Sequence, residues 1–352
     1  MIYRTARWLL EHMDPVRANR IMIDNLEWFT TLGLHHQCSR MPDEDPLTVM
    51  GLRFPNAVGL AAGLDRSGEE VCSFGAFGLG FVEAGTITPQ PQRFSQAHPY
   101  RRDDASRSIL HAAEFENAGA QAALARLRSA DAFYLRGGVT GISIGAGSGT
   151  APEGAAAEIA SLIETFFHRA DYFSLNLLSC SLSEPAEIFR RPEILSSILR
   201  TAVGRRDDLA CRPEHAHLAR RPIVVKLPGF LADDELKRSA DICAAAGVDG
   251  ISAGGPLLKS EAGRKPVFVS GAPARERSTA VVSLIAGRLK GALALIASGG
   301  ILSTNDVVEK IDAGADLVQI LSGFIFNGPG FVADCVDAAR EARASRTAPA
   351  AA

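Results

Sequence analysis

The sequence predicts an α/β chain folded as a closed (β/α)8 TIM barrel, preceded by an N-terminal helical extension. Eight short apolar runs recur after Pro46 with helical segments between them, and glycines, hydroxyls and amides gather where those runs end. Near-continuous apolar strands separated by helices imply a parallel sheet covered on its outer face, and eight such units favour closure over an open sheet. In chain order the strands are "VGLAAGLD" from Val58, "GFVEAGTIT" from Gly80, "TGISIGAG" from Thr140 and "YFSLNLLS" from Tyr172. Then follow "IVVKLPG" from Ile223, "DGISAGG" from Asp249, "ALIASGG" from Ala294 and "LVQILSG" from Leu317. Between them, Ala232 to Glu235 open a helix that closes at Gly247, and Ser303 to Asp306 open another that closes at Gly314.

Ahead of the barrel, Asp14-Pro15 reads as an N-cap with proline at the first helical position. It opens a helix through Ile21, Ile23, Leu26, Trp28 and Phe29, after a shorter segment holding Ile2, Trp8, Leu9 and Leu10 among Arg4, Arg7 and His12. Two amphipathic helices that carry both tryptophans fit a membrane surface. A helical hairpin packed on the barrel fits the same pattern. The expected division is 1–45 for this extension, 46–340 for the barrel and 341–352 for a disordered tail.

No apolar run reaches the roughly 18 to 20 residues of a spanning helix. The formal net charge is −3, whereas a nucleic-acid partner calls for a strongly basic face, so none is expected. The six cysteines form no C-x-x-C pair and no His/Cys ligand spacing, which predicts no metal centre and, with no signal pattern at the N-terminus, a cytoplasmic chain.

Barrels of this kind place their chemistry at the carboxyl ends of the strands. There "ASGGI" and "LSGF" offer Gly299, Gly300, Ser322 and Gly323, small residues whose backbone N–H groups suit a phosphate. Lys226 lies mid-strand, where an ammonium needs a partner: an anionic cofactor atom or a carboxylate such as Glu83. Asn176 is a second polar side chain inside an apolar strand, suited to a flat heterocycle with donors and acceptors. Ser179, Cys180 and Ser181 follow it without a neighbouring histidine to activate them. Arg66 suits a substrate anion or an ordinary salt bridge, and His111 reads as structural or catalytic.

These residues resemble the dihydroorotate dehydrogenase family, specifically its quinone-linked, membrane-associated type. The similarity rests on "MDPVRANR", "MGLRFPNAVGLAAGLDRSGE", "GLGFVEAGTITPQPQ", "VVKLPGF", "AGVDGISA" and "GGILSTNDVVEKIDAGADLVQILSGFIFNGPGF". The resemblance implies an FMN flavoprotein of pyrimidine biosynthesis that oxidises dihydroorotate to orotate. It also implies a small carboxylate substrate, a quinone acceptor, and a peripheral place on the inner face of the cell membrane. Carried over position by position, Ala61, Ala62, Gly63, Thr86, Ser143, Asn176, Lys226, Gly254, Ser270 and Gly271 contact the flavin. Gly299, Gly300, Leu321, Ser322 and Gly323 surround its phosphate. Ser179 takes the place of the catalytic base, with Lys226 beside the reaction.

The substrate side departs from the pattern. Arg66 replaces a lysine, His111 and Glu114 replace an asparagine and a glycine of "NRMGFNN", and Ser181 replaces an asparagine. "TNTT" has become "GGPL", so Gly254 and Gly255 stand where threonine and asparagine are expected. Each unmatched buried polar group costs about 1 to 3 kcal/mol of recognition. The chain therefore reads as an FMN-dependent oxidoreductase with altered substrate specificity; the alternatives are a flavin-binding relative that has lost catalysis and a flavin-free binding module.

Overall fold

The computed structural model describes residues 5, 8–10, 12–95, 99–127, 130–178, 185–260 and 266–347. The chain enters through a short hairpin, β1 (Leu47–Val49) and β2 (Leu52–Phe54), whose turn residues Met50 and Gly51 have φ of 53° and 75°. Two consecutive left-handed residues match the twist of a tight hairpin. This hairpin closes the floor of the barrel: the Phe54 ring meets Phe81 edge-on at 5.4 Å, and Met50 packs against Gly250.

Next come β3 (Val58–Leu60), β4 (Phe81–Ile87), β5 (Tyr100–Asp103), β6 (Ser108–Ala112), β7 (Val139–Ile144), β8 (Tyr172–Leu175) and β9 (Ile223–Pro228). The chain continues with β10 (Gly250–Gly254), β11 (Leu257–Lys259), β12 (Val267–Gly271), β13 (Ala294–Ser298) and β14 (Leu317–Ile320). The closed barrel runs in the order β10, β13, β14, β3, β4, β7, β8, β9, every pairing parallel. All eight runs read from the sequence are barrel strands. Their residues are almost entirely buried, since one face meets the interior and the other meets helices.

One layer was not foreseen. β11, β12, β6 and β5 form a four-stranded antiparallel sheet over the barrel mouth, with His111 opposite Phe268 and Ile109 opposite Ser270. It is woven from two excursions, one after β4 and one after β10.

The helix Pro15–Thr31 is capped as expected: the Asp14 carboxylate accepts from the Val16 and Arg17 amides at 3.1 Å. Ile23 and Leu26 are buried, Arg20 pairs with Glu69, and Trp28 stays exposed. Trp8–Leu10 are helical too, with Trp8 and Leu9 exposed. The expected disordered tail from 341 is corrected: the last helix spans Phe331–Thr347. Arg343 pairs with Asp45, and Arg346 donates to the carbonyls of Ile311 and Ala315, so these positions are held by the barrel.

Outside the β9 end, the Arg206 side chain is fully buried and binds the Asp249 carboxylate at 2.8 Å, while Asp249 also accepts from the Ile223 amide at 2.8 Å. Arg220 also pairs with Asp249, so removing Arg206 leaves the carboxylate one cation and the Ile223 amide. Arg206→Leu is expected to lower unfolding stability by about 2 kcal/mol, measured by urea denaturation.

Candidate active site

The central polar feature arises where four barrel strands send long polar side chains to one point. Glu83 on β4 is fully buried, and its carboxylate receives the Lys226 ammonium of β9 at 2.5 Å. It also accepts from the Tyr172 hydroxyl of β8 at 3.1 Å and from the Gln319 amide of β14 at 3.0 Å. Of the two readings of Lys226, the carboxylate partner is the one observed, and the 22% of its side chain left exposed faces a cavity above.

That cavity, of about 1120 Å³, is lined at its inner end by Lys226, Asn176, Thr86, Ala61, Ala62 and Gly63. The Asn176 amide donates to the Thr86 hydroxyl at 2.9 Å, and Thr86 lies 3.1 Å from the Ser143 hydroxyl. Ser143 is fully buried behind Thr86 and does not reach the cavity wall, unlike the direct contact expected of it. Gly323 is also set back, packed on the Ile301 carbonyl and the Phe331 ring, whereas Leu321 and Ser322 line the cavity.

Gly299 and Gly300 form a tight turn after β13 with φ of 94° and 73°. A Cβ on Gly299 would lie 2.4 Å from the Gly255 carbonyl oxygen, and one on Gly300 would lie 2.3 Å from the Arg275 Cα. Only bare backbone fits, so the turn presents main-chain groups to the cavity. Gly254 is equally constrained, with φ of 102° and the Ser298 carbonyl oxygen 2.3 Å from an added Cβ. Gly255, Ser270 and Gly271 complete this wall.

At the other flank Arg66 forms an ion pair with Glu116, donates to the Gly63 carbonyl at 3.2 Å, and lies 4.9 Å from the centre of the Tyr100 ring and 5.6 Å from that of Phe94. His111 stacks on Tyr100 and abuts Phe268. Its Nδ1 donates to the Ala112 carbonyl at 3.2 Å, which leaves Nε2 to accept from the Ser270 hydroxyl at 3.4 Å. Burial pushes its pKa down to about 4, so this is a neutral imidazole. Ser179 and Ser181 lie outside the described residues.

Sequence reasoning missed Glu116, Tyr100 and Phe268. The available signal was the polar "YRRD" and apolar "VFVSG" runs inside presumed loops, whose short strands become visible only when they pair.

Beyond the barrel mouth the same cavity continues to the N-terminal helix, where Met22, Leu26, Trp28 and Phe29 line it. Residues 46–341 match the family model described as dihydroorotate dehydrogenase. The chain belongs to the dihydroorotate dehydrogenase family. Proteins named dihydroorotate dehydrogenase (quinone) from Marinomonas sp. and Pseudomonas paraeruginosa are 38% and 36% identical to it over 341 and 343 residues. Those alignments cover 95% and 96% of this chain and 96% and 98% of the relatives. The ligand-free dihydroorotate dehydrogenase of Eimeria tenella superposes with a TM-score of 0.80 at 27% identity, covering 93% of this chain and 95% of that one. The same enzyme with ferulenol gives a TM-score of 0.79 at 27% identity, covering 90% and 89%. Membership makes the protein an oxidoreductase of the quinone-linked dihydroorotate dehydrogenase type.

A histidine whose folded pKa lies below its unfolded value of about 6.5 contributes stability that is lost as pH falls from about 6.5 through about 4. NMR titration is expected to leave the His111 ring signals unmoved between roughly pH 5.5 and 8.

Proposed function

We propose that this cavity seats FMN across the barrel mouth and that the protein oxidises dihydroorotate, or a close cyclic acid, at a CH–CH bond. The observation that carries the reading is the continuity of one cavity from Lys226 and Asn176, past the Gly299–Gly300 turn, to Trp28 and Phe29. The residues suit the cofactor. A side-chain-free turn fits a phosphate, an anchored ammonium fits an electron-rich ring, and the Asn176 and Thr86 polar groups fit a heterocycle edge. Bound there, FMN supplies hydride acceptance from the substrate and electron transfer to a quinone.

Lys226, fixed by Glu83, places positive charge at the cavity's inner end, where negative charge develops on reduction. Ala61, Ala62 and Gly63 leave room for a flat ring, and Ser143 orients Thr86 from behind. Ser270, Gly271, Leu321 and Ser322 complete the surround, with Gly323 supporting it from behind. Ser179 is assigned removal of the substrate proton on the family resemblance, and Ser181 and Gly255 are assigned to its ring. Arg66 and His111 face the substrate end, Arg66 toward a carboxylate.

Residues 1–45 form the quinone side and 46–340 the flavin barrel. Exposed Trp8, Leu9, Met13, Ile21, Trp28 and Leu32 suit a peripheral hold on the cytoplasmic face of a membrane. No helix among the described residues is long and apolar enough to cross one.

One observation favours a shifted substrate preference within this reading: Arg66 already pairs its charge with Glu116.

Purified protein is expected to be yellow, and dihydroorotate under anaerobic conditions to bleach the flavin band. Failure to bleach with dihydroorotate alongside bleaching by other dihydro acids establishes the shifted preference. Failure with all of them, while dithionite still works, overturns the enzyme reading. Lys226→Met is expected to lower turnover roughly 10²-fold or more. Deleting residues up to Phe29 is expected to abolish quinone reduction and spare FMN.

A further inference from the structure

Lys310 is a fully buried lysine on the helix Thr304–Asp312 and has no part in the site described above. Its ammonium donates to the Ser278 hydroxyl at 2.5 Å, the Thr279 hydroxyl at 2.6 Å and the Arg275 carbonyl at 3.2 Å. All three acceptors belong to the start of one helix, Arg275–Leu289, and all are neutral oxygens. A buried ammonium costs free energy unless its donors are satisfied and its charge has a use.

Two of the three contacts lead to the glycine turn. Gly300 rests directly on the Arg275 backbone, and the Ser278 hydroxyl lies 2.8 Å from the Gly299 carbonyl oxygen. The Ser278 hydroxyl also lies 3.0 Å from the Arg275 carbonyl, but that oxygen already accepts from Lys310 and from the Thr279 hydroxyl, which directs the single Ser278 proton to the nearer Gly299 carbonyl. In a trans peptide the C=O and the following N–H point in opposite directions. Drawing the Gly299 carbonyl back onto Ser278 therefore turns the Gly300 N–H away from that helix, toward the cavity that both glycines line.

The structure assigns Lys310 as a positioning residue for the cofactor's phosphate: through Ser278 it aims the Gly300 amide, and its charge adds positive potential behind the turn. This rests on the FMN reading of the cavity. The charged groups facing it are Asp306 and Glu309 on its own helix and Arg275 on the neighbouring one; Arg275 pairs with both carboxylates. Arg346 of the last helix bonds the adjoining Ile311 carbonyl. Burial lowers the Lys310 pKa to about 8. A bound phosphate dianion favours the protonated form, so FMN affinity falls as pH rises above that value.

The test is the dissociation constant of FMN, read by flavin fluorescence on the reconstituted full chain from pH 6.5 to 9.5, for wild type, Lys310→Met, Ser278→Ala and Thr279→Val. Expected are a fall in wild-type affinity above pH 8 and about tenfold weaker binding at pH 7 in Lys310→Met and Ser278→Ala. Lys310→Met is expected to lose the pH dependence, and Thr279→Val to match wild type. If Lys310→Met does not fold, the Ser278 and Thr279 pair decides, because each removes one hydroxyl from the ammonium and only one hydroxyl touches the turn. Equal affinities for that pair, or a Lys310→Met protein with the wild-type pH profile, overturn the assignment. A wild type that takes up no FMN overturns the cavity reading instead.

Discussion

The Glu83 carboxylate is the constraint on which the site depends. It lies inside the barrel with no exposure, and β8, β9 and β14 each send it a donor while β4 carries it. Desolvating a carboxylate and an ammonium costs several kcal/mol each, so the pair contributes little net stability. What it provides is position. The ammonium of Lys226 has one place to go once the barrel closes, because Tyr172 and Gln319 fix the carboxylate from two other strands. The same closure that builds the fold thus sets the charge at the inner end of the cavity.

The eight barrel strands were legible because burial on both faces writes each one as an unbroken apolar run. The N-terminal helix was legible because Asp14 and Pro15 mark its start by local chemistry alone. The sheet across the mouth was not. Its strands are three to five residues long, "YRRD" reads as a polar loop, and the pairing that joins its two halves, β6 to β12, spans more than 150 residues of sequence. The C-terminal helix was misjudged for a similar reason: Arg343 and Arg346 look like a solvated tail until Asp45 and the Ile311 carbonyl are seen opposite them. In the site, Gly299, Gly300 and Lys226 stood out by residue type, whereas the supporting place of Ser143 needed coordinates.

Two departures from the family pattern, His111 in β6 and Glu114 just after it, share one segment with Glu116, and the structure gives all three local partners: Tyr100 and Ser270 for His111, Ser95 for Glu114 and Arg66 for Glu116. An arginine whose guanidinium is held by a carboxylate and flanked by two rings is a stiffer group than a lysine on a flexible stem. The opposite wall, by contrast, includes Gly254, Gly299 and Gly300, whose backbone conformation and close neighbours leave no room for a side chain.

The sheet over the mouth joins β6 to β12, segments that follow the second and sixth strands of the barrel. Neither excursion can finish it alone, because β4 and β10 stand on opposite sides of the closed barrel. The ceiling above the cavity is thus a long-range product of the whole domain, held by a seam of backbone hydrogen bonds between chain segments that only the closed cylinder brings face to face.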